Sequence, residues 1–314
     1  MKAKPTGRVA LPRDRKFVTS IGSVVIDDMK TPLHSAVVLS HFQAVPLIAV
    51  WKAGMSAVVS SADLGLTPAT VELTDAGASF PGGTTVSWDH LREIASHENV
   101  CFRLVDNAPL PIRGYSDLTG RSFSLLPTKT APALIVAGFP MHRVKNTDPL
   151  EAAREMIRSS APMYGRVLDT ATGLGYTAVE AARTAVAVVT VELDPVAGEI
   201  ARLNPWSREL FDNPKIERLF GDSCQQIKAF ADESFDRIIH DPPALCLAGD
   251  LYSGAFYKQL LRVLRSNGRV FHYVGDPGSQ IGGRTTKGVM RRLKEAGFGR
   301  VLPKPKAFGV VACK

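Results

Sequence analysis

The sequence is short of cysteine, of long uninterrupted apolar runs and of acid at either end. Its four cysteines, Cys101, Cys224, Cys246 and Cys313, lie far apart and form no C-x-x-C pair. That spacing argues against a disulfide framework and a structural zinc, and for a reducing compartment. The most apolar region, residues 34 to 59, is interrupted by His34, His41, Gln43, Pro46 and Lys52. It offers no clean span of about 20 apolar residues for a membrane helix. The opening MKAKPTGRVALPRDRKF is basic but lacks the apolar stretch of a secretory signal. A cytoplasmic protein with no membrane association is the expectation.

What is present is an ordinary globular composition with an uneven charge. The net charge is +8 over 314 residues, with 45% hydrophobic and 22% charged residues. The first 16 residues hold six Lys/Arg against Asp14 alone, and Arg284 to Lys314 holds nine against Glu295 alone. Basic ends suit a polyanionic partner such as RNA, although solvated faces account for either stretch taken singly.

The character of the chain changes near residue 147. Upstream, TVELTDAGASFPGGTTVSW, CFRLVDNAPLPIRGYS and RSFSLLPTKTAPALIVAGF read as short strands and hairpins, with a helix at WDHLREIASH. Downstream, strands and helices alternate as in a parallel sheet with crossover helices. At the change, Asp148 can cap a helix that opens on Pro149, with Glu151 three residues after the cap. The expected organisation is a β-rich N-terminal domain over residues 1–147 and an α/β domain over 148–314.

RVLDTATGLGYTAVEAA, residues 166 to 182, runs from an apolar strand through a small-residue loop into a helix. Gly173, Gly175 and Ala178 satisfy a dinucleotide fingerprint, which alone is a weak signal. Asp169, four residues before Gly173, instead gives D-x-A-x-G-x-G, which resembles motif I of class I S-adenosylmethionine (SAM)-dependent methyltransferases. Ala171 stands where that pattern has its first glycine. AVAVVTVELD then ends a strand near Glu192, KIERLFGDS ends on Asp222, and FDRIIHDPP ends on Asp241. Acids at four strand ends converge on one crevice in such a sheet.

The resemblance implies a Rossmann-like, mostly parallel seven-stranded sheet and SAM as cofactor. Asp169, Ala171, Gly173, Gly175, Glu192, Asp222 and Asp241 would form the cofactor site. Glu192 would grip the ribose hydroxyls and Asp222 the adenine amine. The DPP at Asp241–Pro243 resembles the (D/N)PP(Y/F/W) motif of methyltransferases acting on nitrogen. There the acid and a proline-fixed carbonyl orient the amine, so Asp241 and Pro242 are the expected catalytic pair. Ala244 replaces the stacking aromatic, with Tyr252, Phe256 or Tyr257 as candidate substitutes.

His272 is a candidate general base, and Arg143 a candidate partner for the SAM carboxylate. Arg284 is a candidate phosphate contact at a helix start. His240, Asp241, Cys246 and Asp250 are poorly placed for a metal, because adjacent strand residues point to opposite faces. No metal is expected, and His240 reads as packed against a neighbouring helix.

DNPKIERLFGDS and DLYSGAFYKQLLRVLRSNGRV also resemble spermidine synthases. PALIVAGFPMHRV, DPPALCLAGDLYSGAFY and GRVFHYVGDPG together resemble uncharacterised, predicted archaeal-type methyltransferases of spermidine synthase-like fold. The expected function is methyl transfer from SAM to a nitrogen acceptor, with RNA the preferred acceptor class. An aminopropyltransferase, a catalytically inactive SAM- or RNA-binding module and an NAD enzyme are the alternatives.

Overall fold

The computed structural model describes residues 36–314. The basic stretch at residues 1–16, expected to favour RNA, lies outside these residues. The N-terminal portion is built from small antiparallel sheets, as the short alternating runs predict. A four-stranded sheet spans Ala57–Ser60, Ala69–Thr74, Gly77–Ser79 and Thr85–Val86. The expected helix forms at Trp88–Ala95, capped by the Ser87 side chain. A further helix, His41–Lys52, was not expected. Ser40 and Gln43 form a reciprocal capping box that starts it, and Pro46 sits inside it. Its apolar residues surround the axis rather than striping one face, which hides it from periodicity.

A second four-stranded antiparallel sheet, Arg113–Ser116, Arg121–Leu126, Ala133–Val136 and Phe139–Pro140, leads toward the C-terminal half. Its inward residues Phe123, Leu125 and Leu134 share one apolar core with Met156, Val167 and Val188. The helix Pro149–Ser160 begins where expected, with the Asp148 carboxylate accepting from the Leu150 and Glu151 N–H groups at 3.0 Å each. Glu151 does not reach back to the cap; it pairs with Arg158 and Arg154.

The C-terminal half is organised by one seven-stranded sheet. Its strands are β1 (Arg166–Asp169), β2 (Ala187–Glu192), β3 (Ile216–Phe220), β4 (Phe235–His240), β5 (Leu264–Tyr273), β6 (Arg300–Lys304) and β7 (Gly309–Cys313). They lie in the order β3-β2-β1-β4-β5-β7-β6. β1 to β5 pair in parallel, and β7 runs antiparallel to both β5 and β6. The sheet is therefore mixed rather than purely parallel.

The chain order reverses direction in the sheet between β1 and β4, and such a switch opens a crevice at the strand C-termini. β4 is buried at all six positions although it contains Asp236, Arg237 and His240. Buried polar groups need partners. Asp236 accepts from the Arg166 N–H at 2.8 Å and pairs with Arg265 at 3.0 Å, while Arg237 donates to the Pro162 carbonyl at 3.1 Å. No helix among the described residues is long and apolar enough to cross a membrane.

Candidate active site

The strand tips line one open cavity of about 150 Å³. Ala171 and Gly173 of the turn after β1, Glu192 at the end of β2, Asp222 after β3, and Asp241 and Pro242 after β4 all line it. Gly173 has φ +51°, and a Cβ there would meet only His142 Cε1, at 3.9 Å. The turn thus leaves its backbone open to a ligand.

Gly175 plays another part. At φ +78° it starts the helix Tyr176–Ala182, and a Cβ would collide with Leu210 at 2.6 Å. It is a packing glycine beneath the turn and does not line the cavity.

Glu192 is held with both oxygens engaged. One accepts from the Gly173 N–H at 2.8 Å and the other from the Asp194 N–H at 3.0 Å. Burial pushes its pKa up to about 7. Each oxygen keeps a further lone pair, so this carboxylate can receive two hydroxyl donors from a ligand. Asp222 caps the helix Ser223–Ala229 by accepting from the Cys224 N–H at 2.8 Å, and it also borders the cavity.

Asp169 departs from the expected role. It is fully buried and lies beneath the cavity rather than in its lining. Its Oδ2 accepts from Thr190 at 2.8 Å and from Thr177 at 3.4 Å, while Oδ1 is buried without a partner among the described residues. Burial raises its pKa to about 7, the threonine hydroxyls lower it, and Glu192 adds to the rise.

Asp241 is its counterpart just after β4. It faces the cavity, and its side chain makes no hydrogen bond among the described residues. Burial first, and then the negative charge of Asp169, raise its pKa to about 8.

His272 is not brought to the cavity. It is fully buried, and its Nε2 meets the Tyr257 hydroxyl at 2.8 Å. Tyr252, Phe256 and Tyr257 are buried around it and His240, so none replaces the missing aromatic after DPP. His240 is a tie, as a packed histidine can be. Its Nε2–H donates to the Leu251 carbonyl at 2.9 Å, and its Nδ1 accepts from Thr170 Oγ1 at 2.6 Å. This joins the loop after DPP to the tip of β1. No cluster of metal-ligating side chains occurs among the described residues, and Arg284 does not line the cavity.

Several lining residues were missed by sequence reasoning. Thr119 and Arg121 come from the N-terminal hairpin. Thr119 donates to Asp194 Oδ2 at 2.7 Å, and Arg121 donates to the Leu247 carbonyl at 3.0 Å. These bonds join partners 75 and 126 residues apart, so no local pattern announces them. Asp194 had a readable local signal, an Asp-Pro helix start.

Arg143 also lines the cavity, stacked 3.7 Å over the Phe308 ring and donating to the Lys306 carbonyl at 3.0 Å. Beside it, His142 Nδ1 accepts from the Leu134 N–H at 3.2 Å, which places the remaining proton on Nε2. Burial lowers the His142 pKa to about 4, so the ring is neutral near pH 7.

No protein-family profile matches the sequence. The uncharacterised protein MJ1233 of Methanocaldococcus jannaschii is 43% identical over 243 residues, covering 76% of this chain and 81% of that protein. The chain belongs to the MJ1233 family. A shorter match, 30% identical over 115 residues, is to putrescine N-methyltransferase 2 of Nicotiana tabacum and spans 33% of that enzyme.

Among solved structures, a spermidine synthase bound to the transition-state analogue AdoDATO superposes with a TM-score of 0.55. It is 19% identical, and the match covers 66% of this chain and 76% of that one. The spermidine synthase of Thermotoga maritima gives 0.52 at 18% identity, covering 66% and 75%. The fold is thus α/β, of the kind seen in the spermidine synthases.

Proposed function

We propose that the chain transfers a methyl group from SAM to a nitrogen, with Asp241 and Pro242 presenting the acceptor. Residues 148–314 would carry the cofactor and residues 1–147 serve as the accessory, substrate-side unit. The observation that carries this reading is Asp241, a carboxyl open to the cavity and free of hydrogen bonds among the described residues. An amine arrives as an ammonium and must lose a proton before it can attack. A carboxyl whose pKa stands at about 8 becomes ionised, and able to take that proton, as the pH rises through that value. Pro242 and Pro243 stiffen the loop that follows, which holds the approach in line.

The residues present fit SAM. Glu192 has lone pairs for the ribose hydroxyls, the Gly173 turn leaves space for a chain to pass, and Asp222 borders the cavity as an acceptor for an amine. When bound, SAM supplies an electrophilic methyl: the nitrogen lone pair forms the C–N bond and the C–S pair returns to sulfur. Asp169, tied to Thr190 and Thr177, supports the site from beneath rather than touching the cofactor.

A second reading, aminopropyl transfer from decarboxylated SAM, is favoured by the fold shared with spermidine synthases. Arg121 and Arg143 weigh against it. Both line the cavity, and neither pairs with an acid among the described residues. A guanidinium is a partner for the carboxylate that decarboxylated SAM lacks.

RNA as the acceptor draws on the basic ends and the DPP motif, and the N-terminal share of that charge lies outside the described residues. At the C-terminal end, Arg291 pairs with Glu295 and Lys314 with Glu233.

The test is calorimetry with SAM and decarboxylated SAM, followed by transfer of labelled methyl to a host extract split into RNase-treated, protease-treated and small-molecule fractions. SAM binding at least about tenfold tighter, with label passed to one fraction, is the expected result. Tighter binding of decarboxylated SAM would transfer the assignment to the second reading. Binding without transfer to any fraction would leave a binding module.

A further inference from the structure

The cavity has two unlike groups of lining residues. The strand tips supply polar ones. The other group is Phe123, Leu134 and Val136 of the N-terminal sheet, with Ala152, Ala153 and Met156 of the Pro149–Ser160 helix. None of these six side chains carries a charge or a hydroxyl. The helix places Ala152, Ala153 and Met156 on its buried face. Two alanines where leucines would fill a core leave the space hollow.

The acids among the lining residues are already engaged, with one exception. Glu192 receives two backbone N–H groups, Asp194 receives Thr119 and the Val196 N–H, and Asp222 caps its helix. Among the lining acids, Asp241 is thus the one whose carboxyl makes no hydrogen bond among the described residues, and the six apolar side chains line the same cavity.

A diamine with its first nitrogen at Asp241 would bring a second ammonium into a cavity whose other lining acids already hold hydrogen bonds and which Arg121 and Arg143 also line. Burying an unpaired charge is strongly unfavourable, whereas a hydrocarbon or ring body gains by leaving water.

We infer that the acceptor is a monoamine: its nitrogen meets Asp241 and its apolar body lies against the wall of Phe123, Leu134, Ala152, Ala153 and Met156. This rests on the nitrogen-methyltransferase reading and narrows it, setting polyamines aside in spite of the spermidine synthase fold.

Binding tests it without relying on turnover. Hexylamine and putrescine would be titrated calorimetrically into the full-length protein, with and without S-adenosylhomocysteine, for wild type, Ala153→Phe, Ala152→Leu and Asp241→Asn. Hexylamine should bind at least about tenfold more tightly than putrescine. Ala153→Phe should weaken hexylamine by about tenfold or more while S-adenosylhomocysteine affinity moves by less than about threefold. Ala152→Leu, the milder filling, repeats the measurement if Ala153→Phe lowers the melting temperature. Asp241→Asn should weaken hexylamine as well.

Putrescine binding as tightly as hexylamine would overturn the inference. So would a filled wall that costs S-adenosylhomocysteine as much as it costs the amine, because the wall would then belong to the cofactor. Absence of any amine binding would also overturn it and return the search to a nucleobase in RNA. If S-adenosylhomocysteine fails to bind while hexylamine binds and responds to Ala153→Phe, the cofactor reading fails and the wall stands.

Discussion

Asp169 and Asp241 occupy the tips of neighbouring parallel strands, yet their surroundings divide their work. Asp169 is sealed under the β1 turn and bonded to two threonines. Asp241 looks into the cavity with its carboxyl unbonded among the described residues. The first can act only through what it touches, and its charge raises the pKa of the second. A residue type at a strand tip does not determine a role; the direction of its side chain and its neighbours do.

The sharpest way to break this contrast is Asp241→Ala. We expect turnover to fall by about 10²–10⁴-fold with SAM affinity nearly unchanged, read by steady-state kinetics beside calorimetry. Intact turnover would remove Asp241 from the chemistry.

Next in size is Glu192→Gln. An amide has one oxygen where the carboxylate uses two, so SAM affinity should fall by about tenfold or more. Glu192 titrates near 7 because it is buried, and ligand hydroxyls favour its ionised form. Wild-type affinity should therefore rise from pH 6 to pH 8 as Glu192 ionises, and this Glu192-linked rise should be missing from the variant. An unaltered rise in the variant would assign the pH dependence to another group.

Asp169→Asn sharpens the comparison from the other side. SAM affinity should hold within about threefold, because Asp169 lies outside the cavity lining. Removing its charge should lower the Asp241 pKa, so the rising limb of the pH–rate profile should move down from about 8. Loss of SAM binding would restore Asp169 to the cofactor. A further variant is Thr170→Val, which removes the hydroxyl donated to His240. We expect about a three- to tenfold loss of turnover with little change in SAM affinity, accompanied by faster amide exchange in residues 244–252.

Much of this architecture was legible because it is written locally. The Asp148–Pro149 helix start, the hairpins between residues 69 and 136 and the alternation after residue 165 each rest on short-range propensity. The acids at Glu192, Asp222 and Asp241 were readable because a strand tip is a local feature. What escaped depends on distant partners. Asp169 is turned away by Thr190, which stands 21 residues along the chain on the neighbouring strand. His272 is sequestered by Tyr257, and the hairpin residues Thr119 and Arg121 reach the cavity only through tertiary contact. The His41–Lys52 helix was hidden by its apolar surround and by Pro46, which reads as a breaker.

The antiparallel β7 lies between β5 and β6 although it is the last of the three in the chain. Among the described residues β6 hydrogen-bonds only to β7 within the sheet, so its place there depends on Gly309–Cys313. A chain lacking Gly309–Cys313 would leave the β5 edge bare and β6 without a neighbour in the sheet, so these five residues act as the clasp between the parallel platform and its outermost strand.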